Sequence, residues 1–428
     1  LNLIYYKDIY MSTNKLIAPR TLPGFRDFLP QEAKKRQWLK RKLEEICESW
    51  GYDQMETPTL EFLDLFVGQI GDDEKLFFKF KDQGGRDVAL RYDQTLPSVR
   101  VVAQNLNQLT KPFKRYQIQS AFRAEKPQKG RYREFVQCDA DIFGDSSPYA
   151  DAETIALSLD IYRQLGFKNA RVLINDRELL KGMPYEAIVS IDKIKKIGDE
   201  GVIDQMVKKG IALEKAKEYL LMVKNLQPNE TVKIITGYLE KMGFAKNWYE
   251  FDSTIARSFS YSQGPIWEVE IPEFTAGSVL GGERYDGLFT KLFGIEYFGT
   301  GFGLGFDRTL EAAEQFDLIP QIKTSSQILV TIFSEALFTQ SLETVWKLRE
   351  ANINAEVYVN PNTKLEKQLK YADQKGIPFV IILGPEEVQK NLVTVKNLAT
   401  KSQLTVPISE AIKIVGSPNG QTFAVPQQ

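Results

Sequence analysis

Residues 111–144 read KPFKRYQIQSAFRAEKPQKGRYREFVQCDADIFG. Two runs of aromatic and β-branched residues flank a basic stretch, the pattern of two strands joined by a loop. Alternation along the first run puts Gln117, Gln119, Arg123 and Glu125 on one face, with Ile118 and Phe122 on the other. Along the second run Gln137, Asp139 and Asp141 share a face opposite Val136, Cys138, Ala140 and Ile142. The loop, Arg123 to Arg133, holds five basic residues against one acid, and Pro127 and Gly130 break regular structure inside it. A solvated outer sheet face would carry more Lys and Thr than this one. A floor of Arg, Glu, Gln and Asp reads instead as a ligand site, and the guanidinium fork of Arg123 suits a phosphate or carboxylate. An exposed sheet face with a solvated hairpin is the plainer alternative.

Upstream, residues 33–50 set Leu39, Leu43, Ile46 and Trp50 on one helical stripe that Gly51 ends. Short aromatic or β-branched segments follow in YDQMETPTL, KLFFKFKD and GRDVALRYDQT, so the expected sheet is mainly antiparallel. In LRYDQT, Arg91, Asp93 and Thr95 fall on one strand face, either a ligand contact or a polar edge. From 177 to 250 the chain turns Lys- and Glu-rich with a helical pattern, an inserted helical subdomain. Strand-like texture resumes in IWEVEIPE, SVLGGERYDG and GTGFGLGFD, then RTLEAAEQF starts a helix. Residues 323–326 read as a linker. Beyond them QILVTIF, INAEVYV and PFVIILG alternate with helical segments and end in a charged tail, a small separate α/β domain.

Composition limits the chemistry. The chain has 428 residues, with 55 Lys and Arg against 56 Asp and Glu, so any polyanion must be met by a local patch. There is no histidine, which excludes Ser-His-Asp and Cys-His nucleophile systems and the HExxH zinc site. The two cysteines, Cys47 and Cys138, cannot form a four-ligand zinc cluster and suggest a reducing cytoplasm. No stretch approaches the roughly 20 apolar residues of a membrane span. Residues 1–20 form an N-terminal extension expected to be mobile, with Met11 a plausible start.

Two further signals point to a site. In GTGFGLGFDR, residues 299–308, four glycines alternate along a strand that runs into a helix carrying Arg308. The spacing matches neither the dinucleotide nor the Walker pattern; it permits close approach of a flat ligand, or packing under a helix. Arg257, in IARSFSYSQGPIWEVE ahead of GGERYDG, is either a site residue or a structural salt bridge.

Together these segments resemble the class II aminoacyl-tRNA synthetases, specifically the histidyl-tRNA synthetases, from about Thr21 onward. The first helix with METPTLE and Pro58 resembles the dimer-forming motif 1, FRAEKPQKGRYREFVQCDADIFG motif 2, and GFGLGFDR motif 3. The resemblance implies an α+β catalytic domain, an antiparallel sheet with flanking helices, in residues 21–176 and 251–322, a helical insertion at 177–250 and an anticodon-binding α/β domain at 327–428. It implies ATP-dependent activation of L-histidine and transfer to the 3′ end of tRNA(His) by a cytoplasmic homodimer, with magnesium arriving on ATP and no zinc. By the same resemblance Arg123 and Arg257 oppose the α-phosphate as catalytic residues, Glu125 lies at the adenine and Arg308 at the γ-phosphate. Asp93, Thr95 and Gln137 would hold the α-amino group, Asp141 the imidazole, with Tyr261 and Ser262 also in the histidine pocket. Gln128, Lys129, Arg131 and Arg133 would meet the tRNA acceptor stem. Where the family reads RGLDYY this chain reads RSFSYS, placing Ser260 and Ser262 where an acidic and an aromatic residue stand. The competing reading is a synthetase-like regulatory paralogue that binds histidine or a partner without charging tRNA.

Overall fold

The computed structural model describes residues 18–69, 75–127, 130–257, 261–321 and 323–416. The chain runs α1 (Pro30–Ser49), β1 (Asp53–Gln54), β2 (Leu60–Phe62), β3 (Lys79–Lys81), β4 (Asp87–Leu90), α2 (Thr95–Asn105), β5 (Phe113–Phe122) and β6 (Glu134–Phe143). Next come α3 (Pro148–Leu165), β7 (Arg171–Asp176), α4 (Tyr185–Ile191), α5 (Ile194–Lys208), α6 (Leu213–Lys224), α7 (Glu230–Lys241) and β8 (Tyr249–Phe251). Then follow β9 (Gln263–Glu270), β10 (Leu280–Arg284), α8 (Gly287–Phe293), β11 (Gly299–Gly305) and α9 (Phe306–Gln315). The last stretch is β12 (Ile328–Val330), α10 (Phe338–Glu350), β13 (Ala355–Val357), α11 (Leu365–Lys375), β14 (Phe379–Ile382), α12 (Pro385–Gln389), β15 (Val393–Asn397), β16 (Gln403–Val406) and α13 (Ile408–Gly416).

The two runs that open the sequence reading form the antiparallel pair β5–β6, in register from Phe113 opposite Phe143 to Phe122 opposite Glu134. They sit inside an eight-stranded sheet of order β1-β5-β6-β11-β10-β9-β7-β8. Its neighbours are antiparallel except β1–β5 and β7–β8. One face of this sheet is apolar. Tyr116, Ile118, Cys138, Ala140, Ile142, Phe302 and Leu304 lie in one core cluster with Leu39, Leu43 and Ile46 of α1 and most of α3. The expected stripe on α1 is therefore buried, and Gly51 takes a φ of 75° to end it.

Three segments differ from the sequence reading. No helix was expected at 148–165, yet α3 lies against the sheet with Ala152, Ile155, Ala156, Leu157, Leu159, Ile161 and Tyr162 all buried. A helix enclosed on most sides lacks the one-sided stripe that marks an amphipathic one. LRYDQT does not continue as a strand: β4 stops at Leu90, Thr95 starts α2, and the Leu96 N–H donates to Asp93 Oδ1 at 3.2 Å. Asp93 and Thr95 thus sit at a helix N-terminus rather than on a strand face. The charged C-terminal tail folds as β15, β16 and α13.

Between β7 and β8, helices α4–α6 share a small core that includes Met183, Ile191, Val202, Met206 and Val223, while α7 buries Val232, Ile235 and Leu239 in the main core that holds α3. Residues 320–416 belong to a second body on a five-stranded mixed sheet of order β13-β12-β14-β15-β16. Its clusters draw only on residues from 328 onward. No helix among the described residues is long and apolar enough to cross a membrane. Residues 1–17 of the N-terminal extension lie outside the described residues.

Candidate active site

Strand register builds the site. Across β5, β6, β11, β10 and β9 one rung aligns Arg115, Asp141, Gly301, Glu283 and Ile266, and the next aligns Gln117, Asp139, Gly303, Gly281 and Glu268. A third pairs Gln119, Gln137 and Gly305. The alternating glycines of β11 thus face the polar side, while Phe302 and Leu304 between them fill the core. A Cβ on Gly301 would strike the Asp141 carboxylate, one on Gly303 would come within 2.8 Å of Gln137 Nε2, and one on Gly281 would enter the Arg257 guanidinium. The result is a trough whose bottom is bare backbone and whose walls are polar. It opens as a cleft of about 330 Å³ lined among others by Asp93, Thr95, Arg123, Glu125, Arg131, Gln137, Asp139, Asp141, Arg257, Tyr261, Glu283, Tyr285 and Arg308.

The two ends of the trough differ in charge. At the Gly305 end stand three guanidiniums. Arg123 lies 4.2 Å from the Tyr92 ring centre and 5.0 Å from that of Phe135, and Arg308 donates to the Ser278 carbonyl at 2.9 Å. Arg131 donates to Glu125 Oε2 at 3.3 Å. Burial, and then the charge of Arg131, lower the pKa of Arg308, so an anion placed there relieves both. At the Gly301 end, Tyr285 donates to Asp141 Oδ1 at 2.5 Å and the buried Arg115 pairs with Asp141 Oδ2. Glu283 accepts from Ser262 Oγ and pairs with Arg257 at 3.3 Å.

Arg257 lies between the ends, over Gly281, with Glu268 at 3.7 Å as a second partner. Its φ of 51° is a conformation that non-glycine residues seldom adopt, held here by this network. Burial disfavours its charge, but Glu283 and Glu268 outweigh that and raise its pKa. Burial raises the carboxyl pKa of Asp93, Asp139, Asp141, Glu268 and Glu283, with nearby guanidiniums opposing the shift.

Of the residues singled out from the sequence, Asp93, Thr95, Arg123, Glu125, Arg131, Gln137, Asp141, Arg257, Tyr261 and Arg308 line this one cleft. Arg257 is both a cleft residue and a salt bridge. Ser262 is buried and reaches the cleft through Glu283. Arg133 turns back, donating to the Glu125 carbonyl at 3.0 Å and to the Pro23 carbonyl at 3.4 Å. Arg91 is internal: it donates to the Thr57 and Ser120 carbonyls and to Gln119 Oε1, so it is neither a cleft residue nor part of a polar strand edge. Gln128, Lys129 and Ser260 lie outside the described residues. Asp139 lies on the expected polar face, and the sequence reading assigns no role to it, nor to Glu283 and Tyr285 of GGERYDG, which also line the cleft. Their signal was the glycine pair at 281–282, which marks a strand that something approaches closely.

Comparison with known proteins identifies the architecture. A family model described as histidyl-tRNA synthetase matches residues 24–200, and one described as an anticodon-binding domain matches 327–417. The histidine–tRNA ligase of Cytophaga hutchinsonii is 36% identical over 450 residues, spanning 92% of this chain and 98% of that one. The chain belongs to the histidyl-tRNA synthetase family. The histidine–tRNA ligase of Wolinella succinogenes is 34% identical, over 91% of this chain and 96% of its own. Among solved structures, the histidyl-tRNA synthetase of Nostoc sp. PCC 7120 superposes with a TM-score of 0.79 at 25% identity, covering 94% of this chain and 99% of that one. In histidyl-tRNA synthetase terms, the segment resembling motif 2 is the β5–β6 hairpin, that resembling motif 3 is β11 with α9, and GGERYDG is β10 with the turn into α8. The class II fold expected from those motifs is the fold observed.

Proposed function

We propose that this protein activates L-histidine with ATP to histidyl-adenylate and transfers the histidyl group to the 3′ end of tRNA(His), releasing AMP and pyrophosphate. The observation that carries the reading is the charge polarity of the trough. A triphosphate suits the end with Arg123, Arg131 and Arg308, and a nitrogen-bearing side chain suits the end with Asp141, Tyr261 and Glu283. Arg257 between them would face the α-phosphate.

Laid along the glycines of β11, the histidine carboxylate would attack the α-phosphorus in line while Arg123 and Arg257 hold the equatorial oxygens. Pyrophosphate would leave toward Arg308, and Glu125 would lie at the adenine. Asp93, Thr95 and Gln137 would take the α-amino group, a cation that suits the buried Asp93. Nothing in this step needs an imidazole from the protein. Magnesium would enter bound to the ATP phosphates. Arg131, 47% exposed at the cleft mouth, would meet the acceptor stem, and residues 327–428 the anticodon. A cytoplasmic homodimer built through the motif 1 region completes the reading. The match to an anticodon-binding domain, together with Arg123, Arg257 and Arg308 in the cleft, weighs against a regulatory paralogue.

The test is ATP–pyrophosphate exchange with each of the twenty amino acids in turn, followed by charging of tRNA. Histidine alone should support exchange. Equal exchange with another amino acid, or none with histidine, would overturn the assignment.

A further inference from the structure

The rung through Gly301 carries a carboxylate on each side. Asp141 on β6 and Glu283 on β10 are the direct register partners of Gly301 from its two neighbouring strands. Strands lie about 4.8 Å apart, so the two acids flank a gap one strand wide whose bottom has no side chain. Both line the cleft and both are nearly inaccessible, at 2% and 6% exposure. Each is paired with a guanidinium, Arg115 for Asp141 and Arg257 for Glu283. Each also accepts from one hydroxyl, Tyr285 or Ser262. A carboxylate offers about four lone-pair sites, so each can accept a further bond from the gap.

This pairing bears on the departure at Ser262. The small hydroxyl there donates to Glu283, and a charged side chain from the adjacent strand reaches the same end of the cleft. Two acceptors facing one another across a flat gap match a flat ring with an N–H on each of two opposed nitrogens. We propose that Glu283 is a specificity-determining residue, accepting one ring N–H of the bound histidine while Asp141 accepts the other. This rests on the activation reading above and assigns the half of the imidazole contact that Asp141 alone leaves open.

The alternative is that Glu283 only clamps Arg257. Pyrophosphate exchange separates the two when run with histidine and with β-(4-thiazolyl)alanine, whose ring keeps the size of imidazole but carries no N–H. In Glu283→Ala the KM for histidine should rise at least about tenfold, the KM for ATP should change less than about twofold, and preference for histidine over the thiazole should narrow by at least about tenfold. Glu283→Gln, which keeps an acceptor oxygen, should recover part of the preference, and it carries the test if the alanine variant does not fold. A fall in kcat or a rise in the KM for ATP, with the preference for histidine unchanged, would overturn the proposal in favour of the clamp. If the unaltered protein shows no exchange with histidine, the activation reading itself fails, an outcome distinct from intact exchange with unchanged preference in the variants.

Discussion

Arg123 and Arg257 have the same proposed task and different surroundings. Arg123 rests on two aromatic rings and makes one long hydrogen bond, 3.4 Å, to the Tyr92 carbonyl. Among the described residues no carboxylate is ion-paired with it, and its charge reaches the buried Asp93 and Asp139 only at longer range. Arg123→Ala should therefore slow adenylation about a hundredfold, since losing one preorganised donor costs about 3 kcal/mol of transition-state stabilisation, with little change in thermal midpoint. Arg257→Ala should slow adenylation as much and also destabilise the fold, by up to about 3 kcal/mol, because Glu283 and Glu268 would be left in a desolvated site without their counter-ion. Pyrophosphate exchange and thermal denaturation of both variants check this, and equal midpoints would contradict it. Arg123 was legible as an anion ligand because a lone guanidinium at the end of a polar strand face has few other uses. Arg257 was not decidable from sequence, since its two acids come from β9 and β10 and only the sheet register brings them to it.

Strand β10 places two adjacent glycines on opposite faces, and substitution should separate their roles. A Cβ on Gly282 would overlap the indole of Trp267, which is fully buried and donates to Ser158 of α3 at 3.2 Å. The side chain there cannot give way cheaply, so Gly282→Ala should destabilise the protein by about 1–3 kcal/mol or more and reduce soluble yield. A Cβ on Gly281 meets only the flexible end of Arg257. Gly281→Ala should keep most of the stability and lose activity by moving the guanidinium off its position. Calorimetry and exchange assays on the pair read this directly, and matching stability losses would refute it. At this scale α1 and the β5–β6 hairpin were legible because each buries one side and repeats its apolar residues at its own period. The helix α3 was not, since the sheet and the helices around it bury it almost completely.

Across the whole molecule the carboxyl groups set the pH response. Among the described residues burial raises the pKa of Asp93, Asp139, Asp141, Asp151, Glu268, Glu283 and Asp286, that of Asp151 to about 6, whereas only Asp82 is lowered. A carboxyl whose folded pKa is raised binds protons more tightly folded than unfolded. Its contribution is present below the unfolded value near 4 and is lost as pH rises through the folded value, so stability falls with rising pH across that window. With no histidine in the chain, nothing of that kind masks the trend between pH 5 and 7. The ligand-free protein should thus melt a few degrees higher at pH 5.5 than at pH 7.5. Four of the five tryptophans, Trp38, Trp50, Trp248 and Trp267, lie in the body that holds these groups, so intrinsic fluorescence follows its transition. A midpoint that climbs steadily from pH 5.5 to 7.5 would mean that guanidinium pairing, not burial, governs these acids.

The sequence by itself determined the class of fold and the location of the chemistry. The period-2 runs at 113–122 and 134–143, the basic loop between them and the alternating glycines at 299–305 each encode a local geometry that needs no distant partner. They placed Arg123, Gln137, Asp141 and Arg308 on strands or helix starts that turned out to border one cleft. Only the tertiary structure decided how those strands neighbour one another, because β11 pairs with β6, more than a hundred residues earlier, and no local periodicity carries that information. That order set Glu283 across Gly301 from Asp141, and tertiary contacts laid Arg257 over Gly281 and committed Arg91 to the Thr57 and Ser120 carbonyls. Side-chain period states which face a residue takes on its own strand, and strand order states what it faces there.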